Sequence, residues 1–317
     1  MKKCEIKQII VDAHADTLAF CIHKPENFLA REGAHLTLPA MEEAGIKIQV
    51  LAVCASPVAK PASAMKKTLQ MISAFWDIID TYQPRVFPVL SKKDLCRDEG
   101  IGLLLALEGA EGLNGDPQLL KVFVRLGVRM LSLTWNRRNL FADGIGTKKK
   151  NGFLTQAGRD LVTIANKLGV IVDVSHLHED CFWEILTFCR APIIASHTGA
   201  KKIKEHPRNL TDKQLQSIAN AGGVIGINYY PPFVGDGNVT TRNILDHIKY
   251  IVDLVGADHV GLGSDFDGIE DTPLDLKSIK QFPNLVEKIY NNFTGEDSAK
   301  ILGKNWLRLF MEVLPDS

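Results

Sequence analysis

Eight short apolar runs, each followed by a longer stretch that suits a helix, constrain this chain more than anything else in it. They are Q-I-I-V-D-A-H, K-I-Q-V-L-A-V, G-L-L-L-A-L-E, M-L-S-L-T-W, V-I-V-D-V-S-H, P-I-I-A-S-H, G-V-I-G-I-N and H-V-G-L-G-S-D, starting near residues 8, 47, 102, 130, 170, 192, 223 and 259. Runs that are apolar and β-branched almost throughout, rather than alternating, suit parallel strands covered on both faces. The segments between them read as helices. T-D-K-Q-L-Q-S-I-A-N-A-G-G opens with a Thr cap and closes at glycine, and K-T-L-Q-M-I-S-A-F-W-D-I-I-D is a second such segment. Without repeats, low-complexity segments or linkers, eight units in 317 residues predict one (β/α)8 barrel domain over residues 1–317. A doubly wound open sheet is the alternative, weakened because no G-x-G-x-x-G follows the first run.

Composition narrows the partners. Lys plus Arg and Asp plus Glu both total 37, so no net charge draws the chain to nucleic acid or to an anionic membrane. The six cysteines, at positions 4, 21, 54, 96, 181 and 189, form no C-x-x-C pair and read as reduced, mostly buried thiols. The opening M-K-K-C-E-I-K-Q-I-I-V-D has too short an apolar run for a signal peptide. No run reaches the ~20 apolar residues of a membrane span. A soluble cytoplasmic protein is expected.

The polar residues fall at the ends of the runs. The first ends in His14 and Asp16, the third in Glu108, the fifth in His176, the sixth in His197 and the eighth in Asp265. Barrel active sites lie at the C-terminal ends of the strands, so these side chains are expected at one mouth. Each alone is ordinary: a histidine after a serine is more often a satisfied loop residue, and Asp265 in G-L-G-S-D-F-D-G could be a turn residue, as Asp267 is expected to be. Independent capping roles would not select His, Asp, Glu, His, His and Asp at corresponding ends. His23, His35, His178, His206, His247 and His259 lack this placement and read as structural or surface residues. Asp12 alternates with His14 and Asp16 on the same predicted strand face. It either orients a ligand or fills the barrel interior.

Imidazole and carboxylate without thiolate suit zinc, or failing that manganese or cobalt, in an open site. Five ligands are too many for one catalytic zinc. They divide into His14 and Asp16 on one ion and His176 and His197 on the other, with Glu108 bridging. Paired ions roughly 3.5–4 Å apart hold a hydroxide and polarise a carbonyl together, which is machinery for hydrolysis.

These residues belong to a wider set of motifs: D-A-H-A-D at 12–16, L-E-G at 107–109, L-T-W-N-R-R-N-L-F-A-D-G at 133–144, D-V-S-H at 173–176, A-S-H-T at 195–198, P-R-N at 207–209 and G-L-G-S-D-F-D-G at 261–268. In them the chain resembles the membrane (renal-type) dipeptidases, zinc peptidase family M19. The resemblance covers essentially the whole chain. It implies a distorted (β/α)8 barrel with two zinc ions on the ligands above, Asp265 handling protons, and Arg208 holding the substrate's terminal carboxylate. It also implies short free-ended peptides as substrates, often with a D-residue on the C-terminal side, and a homodimer, since dimers are common in the family. One position departs. Members such as the mammalian enzymes carry a substrate-contacting histidine directly after L-T of the fourth strand, where this chain has Trp135. Either the Trp135 N–H or Asn136 is then expected to polarise the scissile carbonyl, or the substrate range differs. Two other readings stand beside the dipeptidase. One is a barrel amidohydrolase acting on a non-peptide amide or lactam, disfavoured because such enzymes more often open with H-x-H. The other is a catalytically weak scaffold.

Overall fold

The computed structural model describes residues 9–55, 61–148 and 152–317; Cys4 lies outside them. Among the described residues nine strands are formed, β1 (Ile10–Ala15), β2 (Ile46–Cys54), β3 (Val86–Pro88), β4 (Ile101–Glu108), β5 (Val128–Ser132), β6 (Ile171–Asp173), β7 (Ile193–Thr198), β8 (Ile225–Ile227) and β9 (Val260–Leu262). All eight predicted runs are among them. The ninth, β3, is only three residues long and pairs with the start of β4, through Val86↔Ile101 to Pro88↔Leu103. Too short to show a pattern, it was not legible in the sequence.

Every pairing between these strands is parallel, and β2 pairs with β4 while β1 pairs with β9, which closes an eight-stranded ring. An open doubly wound sheet would leave two free edges. This ring leaves none, and the fold is the (β/α)8 barrel.

The strands are buried on both faces, as near-continuous apolar runs require. One face packs inward, with Val11, Ile48, Val50, Leu104, Met130, Ile171 and Ile194 in a single cluster. The other packs on the surrounding helices, where Leu103, Leu105, Leu107, Val172, Ile193 and Ile225 belong to the larger cluster. The inner cluster also takes in Trp306, Leu309 and Phe310 of the helix Asn305–Val313, the last helix of the chain. Trp306 is fully buried where Gly226 of β8 and Gly261 of β9 lack side chains; a Cβ on Gly261 would stand 2.2 Å from its indole nitrogen.

Helix ends follow local chemistry. The Thr155 hydroxyl caps Gln156–Leu168 by accepting from the Gly158 amide, and Gly169 closes it at φ 66°. The helix Asp212–Asn220 has a reciprocal capping box between Thr211 and Gln214, where the sequence placed a Thr cap. The segment K-T-L-Q-M-I-S-A-F-W-D-I-I-D lies within the helix Pro61–Tyr82, between β2 and β3.

Candidate metal centre and active site

The predicted ligands meet at the C-terminal mouth of the barrel. His14 lies in β1 with Asp16 just beyond it; Glu108 ends β4; His197 is the penultimate residue of β7. His176 and Asp265 stand three residues past β6 and β9, both in left-handed backbone, at φ 67° and 63°. Non-glycine residues adopt this region rarely, so the surrounding structure must hold it. For His176 the loop after β5 does so: the His176 carbonyl accepts from the Ile145 amide at 2.7 Å, and the Asp143 carbonyl accepts from the His178 amide at 3.0 Å.

One carboxylate oxygen is the hub. Glu108 Oε1 lies 2.9 Å from His176 Nε2, 3.6 Å from His197 Nε2 and 3.7 Å from His14 Nε2. His14 Nε2 is also 3.4 Å from Asp16 Oδ2 and 3.8 Å from Asp265 Oδ1. His176 Nε2 and His197 Nε2 face each other at 2.9 Å.

The far sides of the rings decide what these nitrogens can offer. His176 Nδ1 sits 2.7 Å from Asn136 Oδ1, an acceptor, so it carries the proton. His197 Nδ1 sits 2.8 Å from Ser196 Oγ, whose own hydrogen goes to Asp173 Oδ2 at 2.5 Å. Ser196 therefore accepts from His197. Both Nε2 atoms are left with lone pairs directed at each other and at Glu108. His14, fully buried, has no hydrogen-bond partner among the described residues on either ring nitrogen. Such a surplus of acceptors is unfavourable without a cation, and imidazole with carboxylate is the donor set of zinc and its neighbours. The residues fit a metal group. His14, Glu108 and His197 bring ligand atoms within 4.8 Å of one another, as do His14, Asp16 and Asp265.

Protonation tells the same story. Burial opposes charge on His14, but Glu108, Asp16 and Asp265 outweigh it and push its pKa up to about 10. Burial holds His176 and His197 well below the usual histidine range, and neighbouring Arg208 and His14 add to this. Burial lifts Asp265 to about 6, against the pull of His14 and with the push of Asp16 and Glu108. Asp16 is likewise raised to about 6 by burial and Glu108.

The centre opens into a cavity of about 390 Å³ lined also by Trp135, Asn136, Arg208 and Tyr230. Arg208 is buried, its Nε has no partner among the described residues, and one NH2 donates to the His197 carbonyl at 3.2 Å. Phe233 lies under the guanidinium, 5.5 Å from its ring centre. A buried guanidinium with spare donors beside a cavity is built for an anion. Trp135 lies over His176, with ring centres 5.9 Å apart. Asn136, expected to contact substrate, commits its Oδ1 to His176.

Asp12 does not share the face of His14 and Asp16. The β1 register slips between Asp12 and Ala15, so strict alternation fails there. The Asp12 carboxylate instead accepts from the Ser264 amide and hydroxyl at 2.7 and 2.6 Å, and from Gln49 at 3.0 Å. It ties β1 to its neighbours. His35, set aside in the sequence, also supports the site: Nδ1 accepts from the Asp267 amide at 3.0 Å. Asp267 accepts from Arg31 at 2.5 Å and from Thr17 at 2.7 Å, clamping the loop that bears Asp265. Asn228 donates to Asp265 Oδ2 at 2.8 Å. Asp12 and Asp267 lay within quoted motifs, whereas Thr17, Arg31, His35 and Asn228 lay in none. Cys54 ends β2 with Sγ within 4.8 Å of carboxylate oxygens of Asp16 and Glu108; its place at a strand end was the only signal.

The family model of the membrane dipeptidases, peptidase family M19, matches residues 2–314. The chain belongs to this family. Membership makes it a metal-dependent hydrolase of the dipeptidase class. A Klebsiella pneumoniae protein, described only as an uncharacterized protein in the pqqA 5' region, is 36% identical over 71% of this chain and 88% of its own length. An uncharacterized dipeptidase of Schizosaccharomyces pombe is 35% identical over 78% of this chain, and dipeptidase tcpJ of Claviceps purpurea 32% identical over 79%. The matches span 62% and 61% of those two fungal proteins, under two thirds of their length. The crystal structure of dipeptidase AC, an M19 metallopeptidase, superposes with a TM-score of 0.91 at 27% identity, covering 98% of this chain and 100% of that one. A Rhodobacter sphaeroides metallopeptidase, liganded with a phosphinate mimic of the dipeptide L-Ala-D-Ala, gives a TM-score of 0.90 at 26% identity, covering 97% and 99%.

Proposed function

We propose that the chain hydrolyses dipeptides with a free C-terminal carboxylate, on a centre of two zinc ions. The observation that carries this reading is the pair of Nε2 lone pairs on His176 and His197 directed at Glu108, in one cavity with the spare donors of Arg208. His14 and Asp16 would hold one ion, His176 and His197 the other, and Glu108 both. Ions bound there supply an activated water and polarise the peptide carbonyl. The chain's own groups do the rest. Arg208 grips the terminal carboxylate and sets the register of the peptide, which selects dipeptides over longer chains. Asp265, its Oδ2 held by Asn228, takes the proton from the attacking water and delivers it to the leaving amine. The Asn136 Oδ1 keeps the Nδ1 proton on His176, and the donors left at the cavity wall for the scissile carbonyl are the Asn136 amide N–H and the Trp135 N–H. The L-Ala-D-Ala mimic on the Rhodobacter sphaeroides protein supports acceptance of a D-residue on the C-terminal side.

The test is a panel of dipeptides, with D-residue and β-lactam members, run on protein whose metal content is measured. About two zinc ions per chain and chelator-sensitive release of amino acids are expected. A metal-replete protein that cleaves no dipeptide, or full activity in His176→Ala, would sink the reading. A homodimer, read by light scattering, and a cytoplasmic location belong to the same reading and rest on the family and on the scattered thiols.

A further inference from the structure

The cavity has two basic side chains among its described lining residues, and only one of them has a role so far. Arg208 comes from the loop after β7. The other, Lys67, comes from the helix Pro61–Tyr82 that follows β2. Around the closed ring, β2 and β7 are four strands apart in either direction, so the two cations enter the mouth from diametrically opposite sides. The ligand cluster lies between them. Lys67 is half-buried and pairs with no carboxylate among the described residues, although Asp16, Glu108 and Glu270 line the same cavity. A lysine left without a counter-ion at the wall of an acidic cavity is available to a ligand.

We infer that Lys67 selects substrates whose N-terminal residue carries an acidic side chain. The inference rests on the reading above. With the terminal carboxylate on Arg208 and the scissile bond at the cluster, the N-terminal residue extends away from β7 toward β1 and β2. Its side chain meets the wall that carries Lys67. There an Asp or Glu side chain finds its cation, and a Lys or Arg side chain meets like charge. The α-ammonium of any dipeptide is repelled by Lys67 as well, and an adjacent acidic side chain screens that repulsion.

The experiment compares kcat/KM for Glu-Ala, Leu-Ala and Lys-Ala on metal-loaded wild type, Lys67→Met and Lys67→Glu. Wild type is expected to favour Glu-Ala over Leu-Ala by roughly fivefold, the scale of one partly exposed ion pair. Lys67→Met brings that ratio close to one, and Lys67→Glu turns the preference toward Lys-Ala. A wild-type ratio near one overturns the inference and needs no variant to fold. A ratio that Lys67→Met leaves unchanged, including a uniform fall on all three substrates, overturns it too, because charge balance at the centre alone would act on every substrate equally. A wild type that cleaves none of the three refutes the dipeptidase reading itself, and this inference with it.

Discussion

At the scale of single residues, the site works through groups one step behind the ligands. Asn136 and the Ser196–Asp173 pair each fix one proton, and with it the lone pair that a neighbouring histidine presents. Asn136→Ala and Ser196→Ala are therefore expected to weaken metal binding by about 10- to 100-fold, read by titration against a competing chelator, with the fold intact by circular dichroism. Arg208→Met should cost roughly 2 kcal/mol in kcat/KM on free dipeptides and far less on their C-terminal amides, which lack the partner. His247 shows the opposite use of a histidine. It is fully buried, its Nδ1 accepts from the Ala200 amide, and burial lowers its pKa to about 4. Its folded pKa lies below the unfolded one, so the unfolded chain takes up a proton that the folded chain refuses. That contribution is complete above about pH 6.5 and is lost as pH falls toward 4, by roughly 3 kcal/mol. Denaturant titrations at several pH values check it, because His247→Gln should lose less stability than wild type over that window.

At the scale of elements, position within a strand decides which residues can be chemical. Glu108 and Leu104 lie on the inward face of β4, one at the mouth and one in the core beneath it. Strand ends also touch past an intervening strand, as those of β7 and β9 do beside β8. A Cβ on Gly263, just past β9, would lie 1.8 Å from the Ser196 carbonyl oxygen and 3.3 Å from His197 Cα. Gly263→Ala should destabilise the fold by about 1–3 kcal/mol and displace His197, so that metal affinity falls along with the denaturation midpoint. The sequence was most readable at this scale for the eight long runs, where apolar residues are continuous. It was least readable for β3 and for the slip in β1, which depend on partners far along the chain. The slip is why Asp12 reads as a companion of His14 in the sequence and proves to be a tie to Ser264 and Gln49.

At the scale of the whole molecule, closing the ring brings carboxylates and imidazoles together that repel or starve one another without a cation. Metal should therefore be a stabiliser as well as a cofactor. Zinc at ~1,000 times its dissociation constant is expected to add about 4 kcal/mol, seen as a rise in melting temperature that a chelator reverses. The sequence by itself determined the barrel, through eight apolar runs that need cover on both faces, and it marked His14, Asp16, Glu108, His176, His197 and Asp265, through their common place at the run ends. Those are properties of local pattern, and local pattern is written in consecutive residues. Tertiary structure alone decided which side of the mouth each residue faces, and hence that Arg208 and Lys67 stand opposite each other. It also decided that Asn136 and Ser196 hold protons, and that Asp267, Arg31 and His35 clamp the loop of Asp265. These are contacts between residues tens to hundreds of positions apart, set by the order of strands around a closed ring.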